Sequence, residues 1–207
     1  MRVLDLGPGY GATSVFLAQE RGVAVSACDL WVDPDAIEEV ARGAGLTESI
    51  AAVRADVRQE LPFPDNTFDA IVSIDAFEYF GTDVHLLPRL LRVLKPGGTI
   101  GMTTPGLKRD PYEDAVPGEI WSLWGYETAA FHTPEWWRRH WELSGQLENI
   151  EASWLPEGLE NWILWARAVR EVKGAESDRR QVLELLQTAE GRQLGFVSAI
   201  GRKPPPS

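Results

Sequence analysis

Short apolar runs alternate with longer amphipathic stretches through the first half of the chain. Val3 to Leu6 is strand-sized, and a turn holding Gly7, Gly9 and Gly11 separates it from a helical pattern, Ala12 to Arg21, that Gly22 stops. Val23 to Cys28 reads as a second strand, Asp33-Pro34 opens a helix through Arg42, and Ile50 to Ala55 reads as a third strand. After the stiff loop Leu61 to Asp65 come a buried strand, Phe68 to Ile74, and an amphipathic helix, Val84 to Leu94, ended by Lys95-Pro96-Gly97-Gly98. Thr99 to Thr103 makes a fifth strand. The βαβαβ alternation of the first three strands, with short connections, predicts a parallel sheet covered by helices on both faces.

The second half is less regular. From Pro105 to Phe131 the pattern breaks into glycine, proline, acids and aromatics, which is long for a plain connection and predicts a lid or substrate loop over 105–132. Thr133-Pro134 has the form of a helix cap and first turn, and Gly145 closes that helix. Leu147 to Trp154 predicts a sixth strand, Leu159 to Val172 and Glu176 to Glu190 two helices, and Gly195 to Ile200 a seventh strand before a tail at 204–207. The expectation is a seven-stranded, mostly parallel α/β sheet with an antiparallel last strand, in a single domain over 1–203.

Composition narrows the partners. A net charge of −11 makes phosphate backbones unattractive, so no nucleic-acid partner is expected. One cysteine, Cys28, and three scattered histidines offer no metal-ligand spacing, so no metal is expected. The apolar runs are strand-sized and the N-terminus has no basic segment ahead of an apolar core, which predicts a cytoplasmic chain without a membrane partner. Eight of the nine tryptophans lie beyond residue 120, an asymmetry that points to an aromatic region in the second half.

The glycine turn lets backbone approach a ligand and leaves amides at a helix N-terminus open to anionic groups, a signal for an adenosine-containing ligand. Gly7, Gly9 and Ala12 also satisfy a permissive dinucleotide fingerprint, with Asp29 where a ribose-binding acid would stand. Asp5 separates the options: a carboxylate just before the turn repels a pyrophosphate but favours the ammonium and sulfonium charges of S-adenosylmethionine. Asp5 can equally serve to hold the turn's shape.

At this point the sequence resembles the class I S-adenosylmethionine-dependent methyltransferases of the ubiquinone-biosynthesis-like (type 11) group. VLDLGPGYG is similar to that group's first motif, Asp29 in SACDLW to its second, ADVRQELPFPDNTFDAIVS to its third and fourth, and LLRVLKPGGTI to the stretch entering strand five. The resemblance implies a Rossmann-like fold and S-adenosylmethionine as cofactor. By position it implies Asp5, Gly7, Gly9 and Gly11 at the methionine end, and Asp29 on the ribose hydroxyls. Asp56 and the Val57 amide would meet the adenine edge, Leu30 and Trp31 its faces, and Ser73 to Asp75 would lie beneath the transferring methyl. Asp29 and Asp56 also fit as turn caps, and Trp31 as a structural aromatic.

The implied reaction is in-line methyl transfer to a small molecule, in which proximity and orientation do most of the work. An oxygen or protonated nitrogen acceptor needs a base, and the candidates are Asp75, Glu78, Tyr79, His85 and His132, with His132 placed first alongside Asp75 and Tyr79. The aromatic and acidic mixture of 105–132 suits a flat or cationic acceptor, and Trp121, Trp124 and Tyr126 are the expected pocket residues. The resemblance also leads one to expect helices ahead of the first motif. With none before Met1, either the sequence is truncated or starts at another site, or closure falls to 105–132 and a partner subunit in a homodimer. The rivals are an NAD(P)-dependent oxidoreductase, which leaves Asp56 unexplained, and a degenerate cofactor-binding scaffold.

Overall fold

The computed structural model describes residues 1–173 and 179–205. Its strands are β1 (Arg2–Leu6), β2 (Ala24–Asp29), β3 (Ile50–Arg54), β4 (Phe68–Ile74), β5 (Leu94–Leu107), β6 (Glu148–Trp154) and β7 (Leu194–Arg202). They form one sheet in the order β3-β2-β1-β4-β5-β7-β6. The first five are parallel, and β7 runs antiparallel to both neighbours, as expected for a Rossmann-like α/β sheet.

Alternation along the strands sorts the core onto two faces. Val3, Val25 and Ala27 pack with Ala18 of α1 (Ala12–Arg21) and with Ile37 and Ala41 of α2 (Pro34–Gly43). Leu4, Leu6 and Ile71 pack on the other face with Leu90 of α3 (Leu86–Val93) and with Trp137 and Trp141 of α5 (Pro134–Ser144). The caps read from the sequence hold: the Asp33 carboxylate accepts from the Asp35 amide, the Thr133 hydroxyl accepts from the Trp136 amide, and Gly145 ends α5 in the left-handed region.

Three segments differ from expectation. β5 is far longer than Thr99 to Thr103, because Leu94 already pairs with Phe68 across an irregularity and Pro105 to Leu107 pair with β7. The Lys95 to Gly98 turn therefore lies inside the strand. α3 starts at Leu86 rather than Val84, since the Asp83 carboxylate and carbonyl take the His85 and Leu86 amides. The stretch after β5 is not irregular throughout. It contains α4 (Gly118–Trp124) and a 3-10 segment, Gly125–Ala130, whose Ile120 and Phe131 join Trp162 of α6 (Gly158–Lys173) and Val182 of α7 (Arg179–Leu186) in a third cluster. The start of the predicted Glu176 to Glu190 helix and the end of the tail lie outside the described residues.

This topology positions the site. The strand order reverses between β1 and β4, and the C-terminal ends of β1 to β5 share one edge. There the connections diverge to opposite faces and leave a crevice.

Candidate functional site

A cavity of about 290 Å³ follows that edge. In sheet order its lining comes from Ala55 to Arg58 after β3, Cys28 to Val32 at the end of β2, and Gly7 and Gly9 after β1. It continues with Asp75, Ala76, Glu78, Tyr79 and Phe80 after β4, Pro105 in β5, and the rings of Trp124, Phe131 and Trp162.

At the β2 end Asp29 already holds the turns around it. One carboxylate oxygen accepts from the Gly9 amide at 3.0 Å, and the other from the Trp31 and Val32 amides at 2.8 and 2.9 Å. A carboxylate offers roughly four acceptor positions, so capping and ligand binding are compatible here. Asp56 accepts from the Arg58 amide and, through both oxygens, from its guanidinium at 2.9 Å. That pairing holds the Asp56 carboxyl below the usual carboxylate range.

Gly7 and Gly9 are both at positive φ, +69° and +57°. A Cβ on Gly7 would fall 2.5 Å from that of Ala76, so no other residue fits between β1 and the β4 end, whereas a Cβ on Gly9 would meet no protein atom within 4 Å. The amides of the three glycines themselves are already engaged. Gly7 donates to the Cys28 carbonyl, Gly11 to the Pro8 carbonyl and Gly9 to Asp29. A pyrophosphate would have to displace these bonds and approach a carboxylate as well.

Asp5, Gly11 and Ser73 stand behind the cavity wall rather than in it. Ser73 donates to the Leu6 carbonyl at 2.9 Å, and Gly11 is buried at the start of α1. Asp5 accepts from the Ser14 hydroxyl at 2.6 Å, while its other oxygen is buried with no partner among the described residues. Burial pushes its carboxyl up to about 7, against the pull of Ser14 and with help from Asp29. An uncompensated buried carboxyl under the glycine turn suits a nearby cationic group far better than an anionic one.

Beyond β4 the lining changes character. Asp75 adopts φ +56° at the strand end, with its amide donating to the Thr103 carbonyl at 2.9 Å. A non-glycine residue in the left-handed region is strained, and such strain gathers at functional sites. Glu78 is only 9% exposed, and its carboxyl accepts from the Thr104 hydroxyl at 2.7 Å. Burial first, and then Asp75, push it up to about 8. Trp31 and Tyr79 meet edge to face at 5.0 Å beside the same opening.

His132, Trp121 and Tyr126 also lie outside the cavity. His132 is fully buried between β5 and α5, its Nδ1 2.9 Å from Asp110 and its ring stacked on Trp136. Burial lowers its pKa, so the ring is neutral, and the Asp110 contact fixes the proton on Nδ1. It is a packed core histidine. Trp121 and Tyr126, 52% and 82% exposed, point away from the cavity because Ile120 and Trp124 take the inward side of that segment. The acids Glu113 and Asp114 line a separate shallow concavity, and His85 sits exposed at the start of α3. The candidates gathered by the cavity are Gly7, Gly9, Asp29, Leu30, Trp31, Asp56, Val57, Asp75, Glu78, Tyr79 and Trp124. Phe131 and Trp162 line the cavity without having been singled out from the sequence, and Glu78, one of the five candidate bases, lines it as well. An acid inside the apolar run Ala76 to Phe80 was the available signal.

Among known families, one described as a methyltransferase domain matches residues 3–98. A demethylmenaquinone methyltransferase of Beutenbergia cavernae is 33% identical over 204 residues, covering 97% of this chain and 69% of that protein. The chain belongs to the class I S-adenosylmethionine-dependent methyltransferases. A glycine/sarcosine/dimethylglycine N-methyltransferase of Actinopolyspora halophila is 30% identical over 197 residues, covering 95% of this chain and 31% of that protein. The chain spans less than half the length of several of the curated relatives it matches. Haemonchus contortus phosphoethanolamine N-methyltransferase 2, solved with S-adenosyl-L-methionine, shares the fold at a TM-score of 0.79 and 20% identity, over 99% of this chain and 49% of that chain. Among the described residues no group of histidine, cysteine or acidic side chains could hold a metal ion, and no helix is long and apolar enough to cross a membrane.

Proposed function

We propose that the chain transfers the methyl group of S-adenosylmethionine to a small-molecule acceptor, as one domain over 1–203 with the segment 105–132 forming the lid. The carrying observation is the continuity of the cavity. It begins at acids fixed by backbone amides and Arg58, crosses the bare backbone of Gly9, and ends in a pocket of rings and carboxyls. In this reading Asp29 accepts from the ribose hydroxyls, Asp56 and the Val57 amide meet the adenine edge, and Leu30 and Trp31 cover its faces. The buried charge of Asp5 favours the cationic methionine end through the turn.

The cofactor, when bound, supplies an activated methyl carbon on a positively charged sulfur. The chain's part is to hold an acceptor in line with that carbon and keep water out. Phe80, Trp124, Phe131 and Trp162 supply the apolar walls, and Asp75 and Glu78 the polar groups near the acceptor. The strongly acidic chain suits a small acceptor better than a nucleic acid.

The test is calorimetry with S-adenosylmethionine, its demethylated product and NAD. The first two bind and NAD does not. Binding of NAD alone overturns the reading, and cofactor binding without methyl transfer to any acceptor in a broad panel would make the chain a scaffold instead.

A further inference from the structure

The acceptor end of the cavity has a chemical character that the function proposed above does not specify. Its walls are aromatic, and its acids outnumber its cations: Arg58 is the cation in the lining, and it is engaged with Asp56 at the opposite end. Glu78 projects into this end from the 3-10 turn Phe77–Phe80, held on its β5 side by the Thr104 hydroxyl. The charged groups that bear on it are Asp75 from the end of β4 and Glu127 from the 3-10 segment over the pocket, both acids. A carboxyl buried among acids and rings, with no cation set against it among the described residues, is satisfied best by a cation that the ligand brings. Aromatic walls add cation–π attraction for the same charge and cover an apolar body attached to it.

From this geometry we infer that the methyl acceptor is an amine that enters as an ammonium ion, and that Glu78 receives it and takes the proton its nitrogen must lose. The inference rests on the methyl-transfer reading. In the step itself, an N–H proton passes to the Glu78 carboxylate and the nitrogen recovers its lone pair. That pair forms the new bond to the methyl carbon as the carbon–sulfur bond breaks, and the bonding electrons stay on sulfur, which becomes a neutral thioether. The product nitrogen carries the positive charge, and Glu78 returns its proton to solvent. A carboxyl pushed up to about 8 is matched to this exchange, since its proton affinity lies near that of an amine rather than several units below. It also means that at neutral pH Glu78 holds a proton until an ammonium displaces it.

Calorimetry without turnover tests this. The protein is first titrated with S-adenosylhomocysteine, and the loaded protein then with 2-phenylethylamine or its uncharged counterpart 2-phenylethanol, at pH 7 in buffers of different ionisation heat. The expected result is an amine affinity at least roughly tenfold above that of the alcohol, with about one proton released per amine bound. Glu78→Gln still binds S-adenosylhomocysteine but loses both the amine preference and the proton release. Thr104→Val, which keeps the carboxyl and removes only its hydroxyl partner, keeps the preference. An amine that binds no better than the alcohol, proton release unchanged in Glu78→Gln, or a preference lost equally in Thr104→Val would overturn the inference while leaving the cofactor reading intact. Failure of S-adenosylhomocysteine to bind the unmodified protein would instead overturn the reading beneath it.

Discussion

At the β2 and β3 ends of the cavity the chain has already fixed its acids in place, Asp29 by three backbone amides and Asp56 by Arg58. At the β4 and β5 end Glu78 lies among rings and other acids, with its carboxyl raised into the neutral range. Fixed acceptors suit hydroxyl and amino donors of an unchanging ligand, whereas a carboxyl with a tuned proton suits a group that must gain or lose one. The contrast divides the proposed labour: binding on the regular strand ends, chemistry where the less regular second half folds over them.

Substitutions can break this contrast from either side. Gly9→Val carries the largest effect, because a β-branched residue at φ +57° costs about 1–2 kcal/mol in backbone strain and its side chain occupies the ligand's approach. Cofactor affinity measured by calorimetry should fall roughly a hundredfold or more. Asp29→Ala removes the proposed ribose acceptor and also strands three amides. It should weaken cofactor binding tens of times and lower the melting temperature by roughly 5–10 °C, in line with about 2–3 kcal/mol of lost stability.

Glu78 sharpens the comparison through pH. Its carboxyl is raised in the folded state, so its contribution to stability is fully present below the unfolded value of 4.5 and is lost as pH rises through about 8. Asp5 adds a similar loss between 3.8 and about 7. Denaturant unfolding of the free protein should therefore show stability falling from pH 5 to pH 8, with a shallower fall in Glu78→Gln. A wild-type profile that rises over that window contradicts the assignment.

His132→Gln loses a neutral, stacked core ring and its bond to Asp110, so it should cost on the order of 2 kcal/mol of stability while cofactor affinity stays within about twofold. Smallest of all, Trp121→Ala and Tyr126→Ala should change stability by no more than about 0.5 kcal/mol and leave cofactor affinity unmoved, because both side chains point to solvent.

The same two regions differ in how much of them the sequence discloses. Local rules govern the first: periodicity finds β1 to β4, Pro34 and Gly22 mark helix ends, and acids at successive strand ends announce Asp29 and Asp56. In the second, position depends on contacts between distant segments. Trp124 reaches the cavity and Trp121, three residues earlier, does not, because Trp124 packs on Phe131 and on Trp162 of α6. No local pattern carries that choice. His132 shows the same limit, since a histidine beside a helix cap reads as available chemistry until Asp110 and Trp136 are seen to enclose it.

A crystal structure with S-adenosylhomocysteine soaked in at saturating concentration tests the central claim most directly. The account predicts the nucleoside along the β2 and β3 ends, with the ribose hydroxyls on Asp29 and the sulfur facing Asp75 and Glu78 across the turn at Gly9. Density for the compound anywhere else, or a cavity that excludes it, would contradict the account.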